Sequence, residues 1–424
     1  MGIDLTISEQ RALDAVDLEA AVGLLTELLV IPSMPGSDAE AEIQHVLAKR
    51  MCQLGLEVDL WPIDLLAASR TPGFPGMEVD RSEAWGLVAA SPGGSDQPAL
   101  VLQGHVDVVP PGDLARWHGA PFRPRNIGQR IHARGACDMK AGVAANLAAV
   151  AAIGTAGIRT RRGFALHSVI GEEDGGLGAF ATLQRGHTGA ACIITEPTSG
   201  TLITANAGAL SFAIQVPGVA THGSTAYAGS NAITSYMAIH HALTELEQQR
   251  NRSVEPLMRE YRVAYPISVG RIRAGDWASS VPDLLVAEGR MGIRIDEDPA
   301  QARVELEETV AKVSAQDPLL RDVPATVTWS GGQFAGGRLP ADHPLGRRVA
   351  EAHADATGSS RPRERGAPYG SDLRLYAATG IPTLHYGPGE VELAHGPEES
   401  VDVHELGVVI RTLVLSLLRE CGTD

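Results

Sequence analysis

The stretch LQGHVDVVP (residues 102–110) places a histidine and an aspartate two positions apart, where an apolar segment ends in Pro-Pro-Gly. On an extended strand the side chains at i and i+2 point to the same face, so His105 and Asp107 would lie side by side. This pattern is typical of a metal-binding histidine with the acid that orients it. It is more often simply a strand end with a solvated aspartate, because such pairs are common by chance. One such pair does not separate these two interpretations.

Length and composition indicate a globular protein with two domains. The chain has 424 residues, which is long for one compact core, so we expect two domains, one of them inserted in the other. The net charge of −16 argues against partners that are nucleic acid or anionic membrane. No stretch approaches the roughly 20 apolar residues of a membrane span, so we expect none.

The N-terminal sequence and the cysteines predict a cytoplasmic protein. The first 22 residues lack a basic region followed by an apolar run, which a secretory signal would have. The four cysteines show no C-x-x-C spacing, a pattern that favours reduced thiols over a disulfide framework or a structural zinc knuckle. The four are Cys52, Cys137, Cys192 and Cys421.

The first half of the chain alternates helical patterns with short apolar segments. The segments 99–104, 163–171 and 190–195 are typical of buried strands, and 141–154 is typical of a helix between the first two. Strands buried on both faces and joined by helices predict an α/β fold with a mostly parallel, mixed sheet. We assign residues 1–205 to the first part of a catalytic domain.

The pattern changes near residue 206. The order strand, helix, two strands, helix and strand through about residue 330 predicts an inserted α+β sandwich. The alternation of helices and apolar strands seen in the first half then returns, with a helix, a short apolar strand and a closing helix. We therefore expect an inserted lid or dimerisation domain at 206–330, and the second part of the catalytic domain at 331–424.

Acidic residues cluster where the predicted strands end. Glu172 and Glu173 follow 163–171, Glu196 follows 190–195, and Asp138 precedes the helix at 141–154. Ligand sites in open α/β sheets form at the carboxyl ends of strands, so these acids should share one edge. Carboxylates so close together would repel unless cations neutralise them, which predicts a two-metal hydrolase site. His395, in the loop ELAHGPEES, is the candidate second histidine.

Six motifs together resemble a known family: GHVDVVP, ARGACDMKAG, GEED, TEPTS, GVATHGS and HGPEE. In this order, over roughly residues 20–415, they are similar to those of the acetylornithine deacetylase, succinyl-diaminopimelate desuccinylase and carboxypeptidase family of co-catalytic zinc hydrolases. The resemblance implies a zinc exopeptidase-like fold and two Zn²⁺ or Co²⁺ ions per subunit.

The resemblance also implies roles for individual residues. Glu172 would be the general base, and Asp107 would orient the ring of His105. Asp138 would bridge the ions and be followed by a cis peptide. Whether Glu173 or Glu196 pairs with His395 stays open. The five implied metal ligands are His105, Asp138, Glu173, Glu196 and His395.

Further residues are implied for substrate binding. His222, in the inserted domain, would stabilise the oxyanion of its own or of a partner's active site, since relatives pair into homodimers through this domain. Arg374 and the backbone of Gly387 and Gly389 suit a substrate carboxylate. The lid arginine is ambiguous: Arg290 and Arg294 both lie off the family's usual spacing, a departure that bears on amino-acid specificity.

The implied reaction is hydrolysis of an amide bond by a metal-bridged water, with Glu172 as general base. We expect a deacylase of N-acyl amino acids, similar to acetylornithine deacetylase. The alternatives are a dipeptidase or carboxypeptidase, or a succinyl-diaminopimelate desuccinylase. The partner would be a small-molecule N-acyl amino acid or dipeptide. A catalytically inactive binding protein is disfavoured, because every expected ligand and the base are present in the sequence.

Overall fold

The computed structural model describes residues 5–93 and 97–423. The chain forms two compact units. The first comprises Met1–Ala205, Arg338–Arg365 and Asp372–Asp424, and the second comprises Asn206–Gly337 and Gly366–Ser371. Each unit has a sheet and helices of its own.

The helices and strands of the described ranges follow in chain order. The helices are α1 Ile7–Asp14, α2 Leu18–Leu29, α3 Asp38–Gln53, α4 Leu65–Arg70, α5 Ala141–Thr155, α6 Leu177–Gln184, α7 Ala232–Arg250, α8 Pro299–Gln316, α9 Pro344–Thr357, α10 Leu373–Ala378 and α11 Val403–Cys421. The strands are β1 Glu57–Pro62, β2 Trp85–Ala90, β3 Leu100–His105, β4 Arg125–Ile127, β5 Arg130–His132, β6 Phe164–Val169, β7 Cys192–Pro197, β8 Leu202–Asn206, β9 Gly208–Pro217, β10 Ile267–Ala274, β11 Leu284–Ile293, β12 Thr326–Phe334, β13 Gly337–Arg338, β14 Glu364–Ala367, β15 Thr383–Gly387 and β16 Ser400–Asp402.

The large sheet has the strand order β1-β2-β6-β3-β7-β15-β8-β13, and β14 also pairs with β8. The four strands β6, β3, β7 and β15 are neighbours and run parallel. The pairs β1–β2, β2–β6 and β15–β8 are antiparallel. The predicted fold class is therefore confirmed: a mixed α/β fold in which parallel strands form the centre of a sheet flanked by helices.

The parallel strands are buried along their whole length. Every residue of β3, β6, β7 and β15 is buried. Helices cover both faces of such a sheet, so its strands consist of continuous apolar runs rather than alternating ones. The four carboxyl ends consequently lie at one edge, and chemically reactive side chains can follow each strand there.

One helical stretch contradicts the expectation that the chain has no segment apolar enough for a membrane span. Ala136–Thr155 passes that test by length and composition, with a mean hydropathy of 1.3. Within it, 83% of the apolar window is buried inside the protein. Alanines dominate α5, the helical part of this stretch, and let it pack closely against β3 and β7, so α5 is a core helix of the first unit.

The second unit contains a four-stranded antiparallel sheet of order β10-β11-β9-β12. Helices α7 and α8 pack against this sheet. Their buried side chains form one apolar core with those of β9 and β11. This core includes Phe212 and Ile214 of β9, Ile239 of α7, and Leu306 and Val310 of α8. Since β10 and β12 end the strand order, each leaves one side unpaired within the unit.

A buried ion triad holds the turn that follows β6. Arg81 donates to both carboxylate oxygens of Glu40, on α3, at 2.8 and 2.9 Å. It also donates to both oxygens of Asp174 at 2.7 and 2.8 Å. Asp174 in turn accepts the backbone N–H of Val79 at 3.1 Å. The triad thereby joins the turn 171–176 to α3 and to the loop before β2.

We expect Arg81→Met to destabilise the protein strongly. The Arg81 side chain is fully buried, and its removal would leave Glu40 and Asp174 as unpaired buried charges. Breaking a buried pair in this way costs about 3–5 kcal/mol of unfolding free energy. Urea unfolding followed by circular dichroism measures the change.

Arg50→Met is the matched control, because Arg50 pairs with Glu27 while both side chains are partly exposed. A surface pair contributes at most about 1 kcal/mol, so its unfolding midpoint should stay close to that of the unaltered protein. Equal midpoints for the two variants would show that the triad does not stabilise the fold.

Candidate metal centre

Three neighbouring strands deliver titratable side chains to one edge of the large sheet. His105 is the last residue of β3, and Glu196 lies near the end of β7. Glu172 and Glu173 lie in the turn after β6. This is the arrangement expected from the sequence, and it follows from the parallel pairing of β3 with both β6 and β7.

The first set of ligand atoms surrounds the ring of His105. Its Nε2 lies 3.1 Å from Oδ1 of Asp138 and 3.6 Å from Oε1 of Glu196. The side chains of His105 and Glu196 are buried. Two carboxylate oxygens from different residues therefore lie close to one imidazole nitrogen.

The second set surrounds His395. Its Nε2 lies 3.0 Å from Oε2 of Glu173 and 3.3 Å from Oδ2 of Asp138. Asp138 thus turns one carboxylate oxygen toward each histidine. Of the two glutamates, Glu173 lies beside His395 and Glu196 beside His105, and Glu173 also has a ligand atom within 4.8 Å of one on His105.

Glu172 lies next to the first set. Ligand atoms of His105, Glu172 and Glu196 lie within 4.8 Å of one another, as do those of His105, Asp138 and Glu173. Burial raises the pKa of Glu172 well above its ordinary value, and the charge of Glu196 raises it further. Although Glu172 and Glu173 are adjacent, they face different neighbours.

Asp107 connects the end of β3 with the turn after β6. Its carboxylate accepts the backbone N–H groups of Glu172 and Glu173 at 3.2 and 3.0 Å. The Nδ1 of His105 lies 3.0 Å from the backbone oxygen of Asp107 and 3.6 Å from Oδ1. Asp107 therefore contacts the ring through its carbonyl and fixes the glutamate pair through its carboxylate.

Asp138 lies in an irregular turn, Ala136–Lys140, that precedes α5. The peptide bond Asp138–Met139 is cis, as the resemblance implied. The backbone N–H groups of Cys137 and Asp138 donate to Oε1 of Glu399 at 2.9 and 3.1 Å. These hydrogen bonds to Glu399 hold the backbone of Asp138, the residue whose side chain the two sets share.

The electrostatics of the cluster fit bound cations. Burial raises the pKa of Glu173 and Glu196, and neighbouring carboxylates raise it further. Burial opposes the charged form of His105, but Glu196 and Asp107 outweigh it and raise the pKa of that ring well above its ordinary value. Hydrogen bonds to Asp138 and Glu173 raise the pKa of His395 to about 11. A cation among these atoms would relieve the repulsion, and imidazole and carboxylate are ligands suited to Zn²⁺.

The residues predicted to bind a substrate carboxylate make close contacts within the first unit. Arg374 is buried, and its Nη2 donates to the backbone oxygen of Gly175 at 2.6 Å, in the turn of Glu172. A Cβ on Gly387 would lie 2.1 Å from the Thr195 oxygen. One on Gly389 would lie 2.6 Å from the Cβ of Cys137. Packing alone explains both glycines, and the substrate role of these residues stays a prediction.

Three further predicted residues lie in the second unit. His222 is exposed, and its Nδ1 accepts the backbone N–H of Ser224 at 3.1 Å. The Nη2 of Arg290 donates to the backbone oxygen of Pro368 at 3.2 Å. Arg294 donates to the backbone oxygen of Arg250 at 3.2 Å. Their substrate roles stay predictions.

Two buried residues beside the centre received no role from the sequence. Glu399 and Arg134 form an ion pair of 2.6 Å next to the Asp138 turn. Both lie inside motifs already quoted, HGPEE and ARGACDMKAG. Their positions in those motifs were the available signal, but only the folded chain brings the two together.

Comparison with known proteins identifies the family. The model of peptidase family M20/M25/M40 matches residues 101–419. An N-formyl-4-amino-5-aminomethyl-2-methylpyrimidine deformylase of Halalkalibacterium halodurans is 25% identical over 433 residues, covering 95% of each chain. A succinyl-diaminopimelate desuccinylase of Leptothrix cholodnii is 34% identical over 240 residues, covering 54% of this chain and 58% of that protein.

The fold has solved counterparts as well. The crystal structure of an M20 family metallo-carboxypeptidase from Sulfolobus solfataricus superimposes with a TM-score of 0.74 at 16% identity, covering 94% of this chain and 98% of that one. The family match spans most of the chain and includes the ligand sets described above. The chain therefore belongs to peptidase family M20/M25/M40, and it is a metal-dependent amidohydrolase or peptidase of that family.

Proposed function

We propose that this protein is a dinuclear metal hydrolase that removes the acyl group from an N-acyl amino acid. One observation carries the proposal. A buried carboxylate, Glu172, lies beside His105 and Glu196, in the first of two histidine–carboxylate sets that share Asp138. General-base catalysis at a two-metal site needs such an acid next to the ligands without being one of them.

The two sets support a proposal for the ligands of each cation. His105 and Glu196 would hold one cation, His395 and Glu173 the other, and Asp138 would serve both with its two oxygens. We propose Zn²⁺, with Co²⁺ as a substitute, because the donors are imidazole nitrogen and carboxylate oxygen. When bound, such ions polarise the scissile carbonyl and acidify water.

The chain's own residues then move the proton. A carboxylate oxygen of Glu172 takes a proton from the attacking water and later returns it to the nitrogen of the leaving amine. The hydrogen bonds from the N–H groups of Glu172 and Glu173 to Asp107 fix the turn, so the base keeps its position while its charge changes. Burial of Glu172 limits its exchange of protons with bulk water.

His222 is the proposed donor to the oxyanion. Because its Nδ1 accepts the N–H of Ser224, the neutral ring carries its proton on Nε2. An exposed ring with an Nε2–H can donate to an oxygen that becomes negative in the transition state. His222 would act in its own subunit or, in a homodimer, in the partner subunit.

Two substrate classes deserve comparison with N-acyl amino acids. The deformylase relative matches nearly the full length of this chain, which favours an N-formyl amine as a second candidate. A dipeptide is the third, because a carboxypeptidase cleaves the same kind of bond. In an N-acyl amino acid or a dipeptide the free carboxylate is the distinguishing group, and we propose Arg374, Gly387, Gly389 and the lid arginine Arg290 as its binding residues.

A homodimer through the second unit is the proposed assembly. Strand β10 is at the edge of its sheet, and unpaired edge strands are available to a second copy. Exposed apolar side chains of this unit add to that surface. They include Tyr227, Ile233, Met237, Ile272 and Trp277. We also propose a cytoplasmic location, consistent with its four free cysteines.

A substrate panel tests the proposed activity. Acetyl, formyl, succinyl and carbamoyl amino acids, N-formyl amines and dipeptides should be assayed with zinc- or cobalt-loaded protein. We expect the highest kcat/KM for an N-acyl amino acid, and chelation should abolish turnover. A preference for N-formyl amines without a carboxylate would replace the first candidate by the second, and inactivity toward every amide would contradict both.

Glu172→Gln and Glu173→Gln should impair the enzyme in different ways. Glutamine at 172 cannot accept a proton, so kcat should fall by about 10²–10⁴-fold while metal content stays normal. Glutamine at 173 removes a charged ligand, so metal affinity should fall and excess zinc should partly restore the rate. The measurement is zinc titration of both purified variants during hydrolysis of an N-acetyl amino acid. Rescue of Glu172→Gln by zinc would refute its role as base.

The dimer is tested by light scattering at micromolar concentration. We expect twice the chain mass of 44.6 kDa for the unaltered protein. The double variant Met237→Asp, Ile272→Asp places charges on exposed apolar positions of the second unit and should give the monomer mass. Leu66→Asp, at an exposed position of the first unit, is the control and should remain dimeric. A monomeric unaltered protein with full activity would contradict the proposal.

A further inference from the structure

The carboxylate of Glu399 collects the backbone N–H groups of the turn that carries Asp138. Its Oε1 accepts from Cys137 and Asp138 at 2.9 and 3.1 Å, and its Oε2 accepts from Gly135 at 3.1 Å. The side chain of Glu399 is only 1% exposed. Three donors within four consecutive residues therefore end on one buried carboxylate.

Arg134 completes this arrangement and extends it to His395. Its Nη1 donates to Oε2 of Glu399 at 2.6 Å, and its side chain is also only 1% exposed. Its Nη2 donates to the backbone oxygen of His395 at 3.2 Å and to that of Pro110 at 3.4 Å. A single guanidinium thus bonds both to the acid that holds the Asp138 turn and to the backbone of His395.

The local backbone explains why such support is needed. Gly135 has φ +83°, and Asp138 and Met139 have non-helical φ and ψ values between Ala136 and Lys140. The N–H groups at the start of a helical segment have no carbonyl partner within it, and Glu399 provides the acceptor for those of residues 137 and 138. Hydrogen bonds to an ionised acceptor are roughly twice as strong as neutral ones, so Glu399 holds the turn firmly.

Asp138 and His395 themselves come from distant parts of the chain. His395 lies in a loop with φ +60°, and its side chain is 54% exposed. Few contacts of its own fix such a residue, whereas its Nε2 must lie near Oδ2 of Asp138 and Oε2 of Glu173. The Glu399–Arg134 pair joins the backbones of the two ligands.

We propose that Glu399 and Arg134 are positioning residues that set the spacing between Asp138 and His395. They would thereby determine the affinity of the cation held by His395, Glu173 and Asp138. The inference rests on the proposed metal centre. It differs from that proposal because it predicts that the two ions bind with unequal affinities. A two-metal centre does not by itself require such a difference.

The chain offers a matched control at the preceding residue. Glu398 is also a glutamate of the same loop, but its carboxylate pairs with Arg125 at 2.8 Å and with His118 at 3.2 Å. It accepts no N–H group of the Asp138 turn among the described contacts. Glu398→Gln therefore makes the same chemical change in the adjacent residue without disturbing the tie between the two ligands.

The experiment compares the metal affinities of Glu399→Gln, Glu398→Gln and the unaltered protein. Glutamine keeps the shape of glutamate, but its NH₂ group opposes an N–H donor in either orientation, so the turn loses part of its support. Cobalt(II) absorption during stepwise addition, with a competing chelator, reports each ion separately. We expect the ion beside His395 to bind about 10–100-fold more weakly to Glu399→Gln, as for other partners of metal ligands. The ion beside His105 should be weakened less, because it loses only the support of the Asp138 turn, whereas the other ion also loses the tie through Arg134 to His395.

Further measurements make each outcome decisive. Glu398→Gln should retain both affinities, and kcat of Glu399→Gln should rise again at high cobalt while its KM stays near the original value. An unaltered protein that takes up no metal would refute the proposed function itself. If Glu399→Gln binds each of the two ions as tightly as the unaltered protein does, only this inference is refuted.

Arg134→Lys covers the case in which Glu399→Gln fails to fold. Lysine keeps a cation opposite Glu399 but lacks the second guanidinium arm that reaches the oxygen of His395. Thermal unfolding checks that the variant is folded. We expect one of its two ions to bind at least about 10-fold more weakly, and unchanged affinity for both ions would overturn the inference.

Discussion

Carboxylates at the carboxyl ends of the parallel strands repel one another, and the structure around the candidate metal centre depends on offsetting that repulsion. Asp107, Asp138, Glu172, Glu173 and Glu196 lie there, all of them buried or nearly so. Burial of several like charges is unfavourable unless each has a compensating partner. The histidines provide part of that compensation, and the N–H groups that Asp107 accepts provide another part. Divalent cations would provide the rest.

The turn after β6 shows how the surrounding structure withstands this repulsion. Directly after Glu172 and Glu173 the chain bends at Gly175 and Gly176, both with positive φ. A Cβ on Gly175 would lie 2.4 Å from the Gly76 oxygen, so the loop before β2 packs directly against this bend. Arg81, through Asp174, adds a buried ion pair to the same turn. Stability and the placement of the base are therefore properties of one set of contacts.

The ligands are supported more extensively than the residues expected to recognise the substrate. Asp107 and Glu399 hold the backbone that carries Glu172, Glu173 and Asp138. By contrast, Arg374 contacts the Gly175 carbonyl, and the glycines of the segment after β15 permit close packing.

The sequence by itself determined the class of sheet and the edge at which the site forms. Buried strands consist of uninterrupted apolar runs, and residues such as His105 and Glu196 come at their ends, so local pattern was sufficient. Only the tertiary structure decided that Glu173 lies beside His395, that Arg374 contacts Gly175, and that Glu399 holds the Asp138 turn. It also showed that the apolar stretch Ala136–Thr155 is mostly buried and that its helical part, α5, is a core helix. The physical reason is range: strand and helix patterns reflect neighbouring residues, whereas these contacts join residues far apart in the chain, whose pairing exists only when the whole unit is folded.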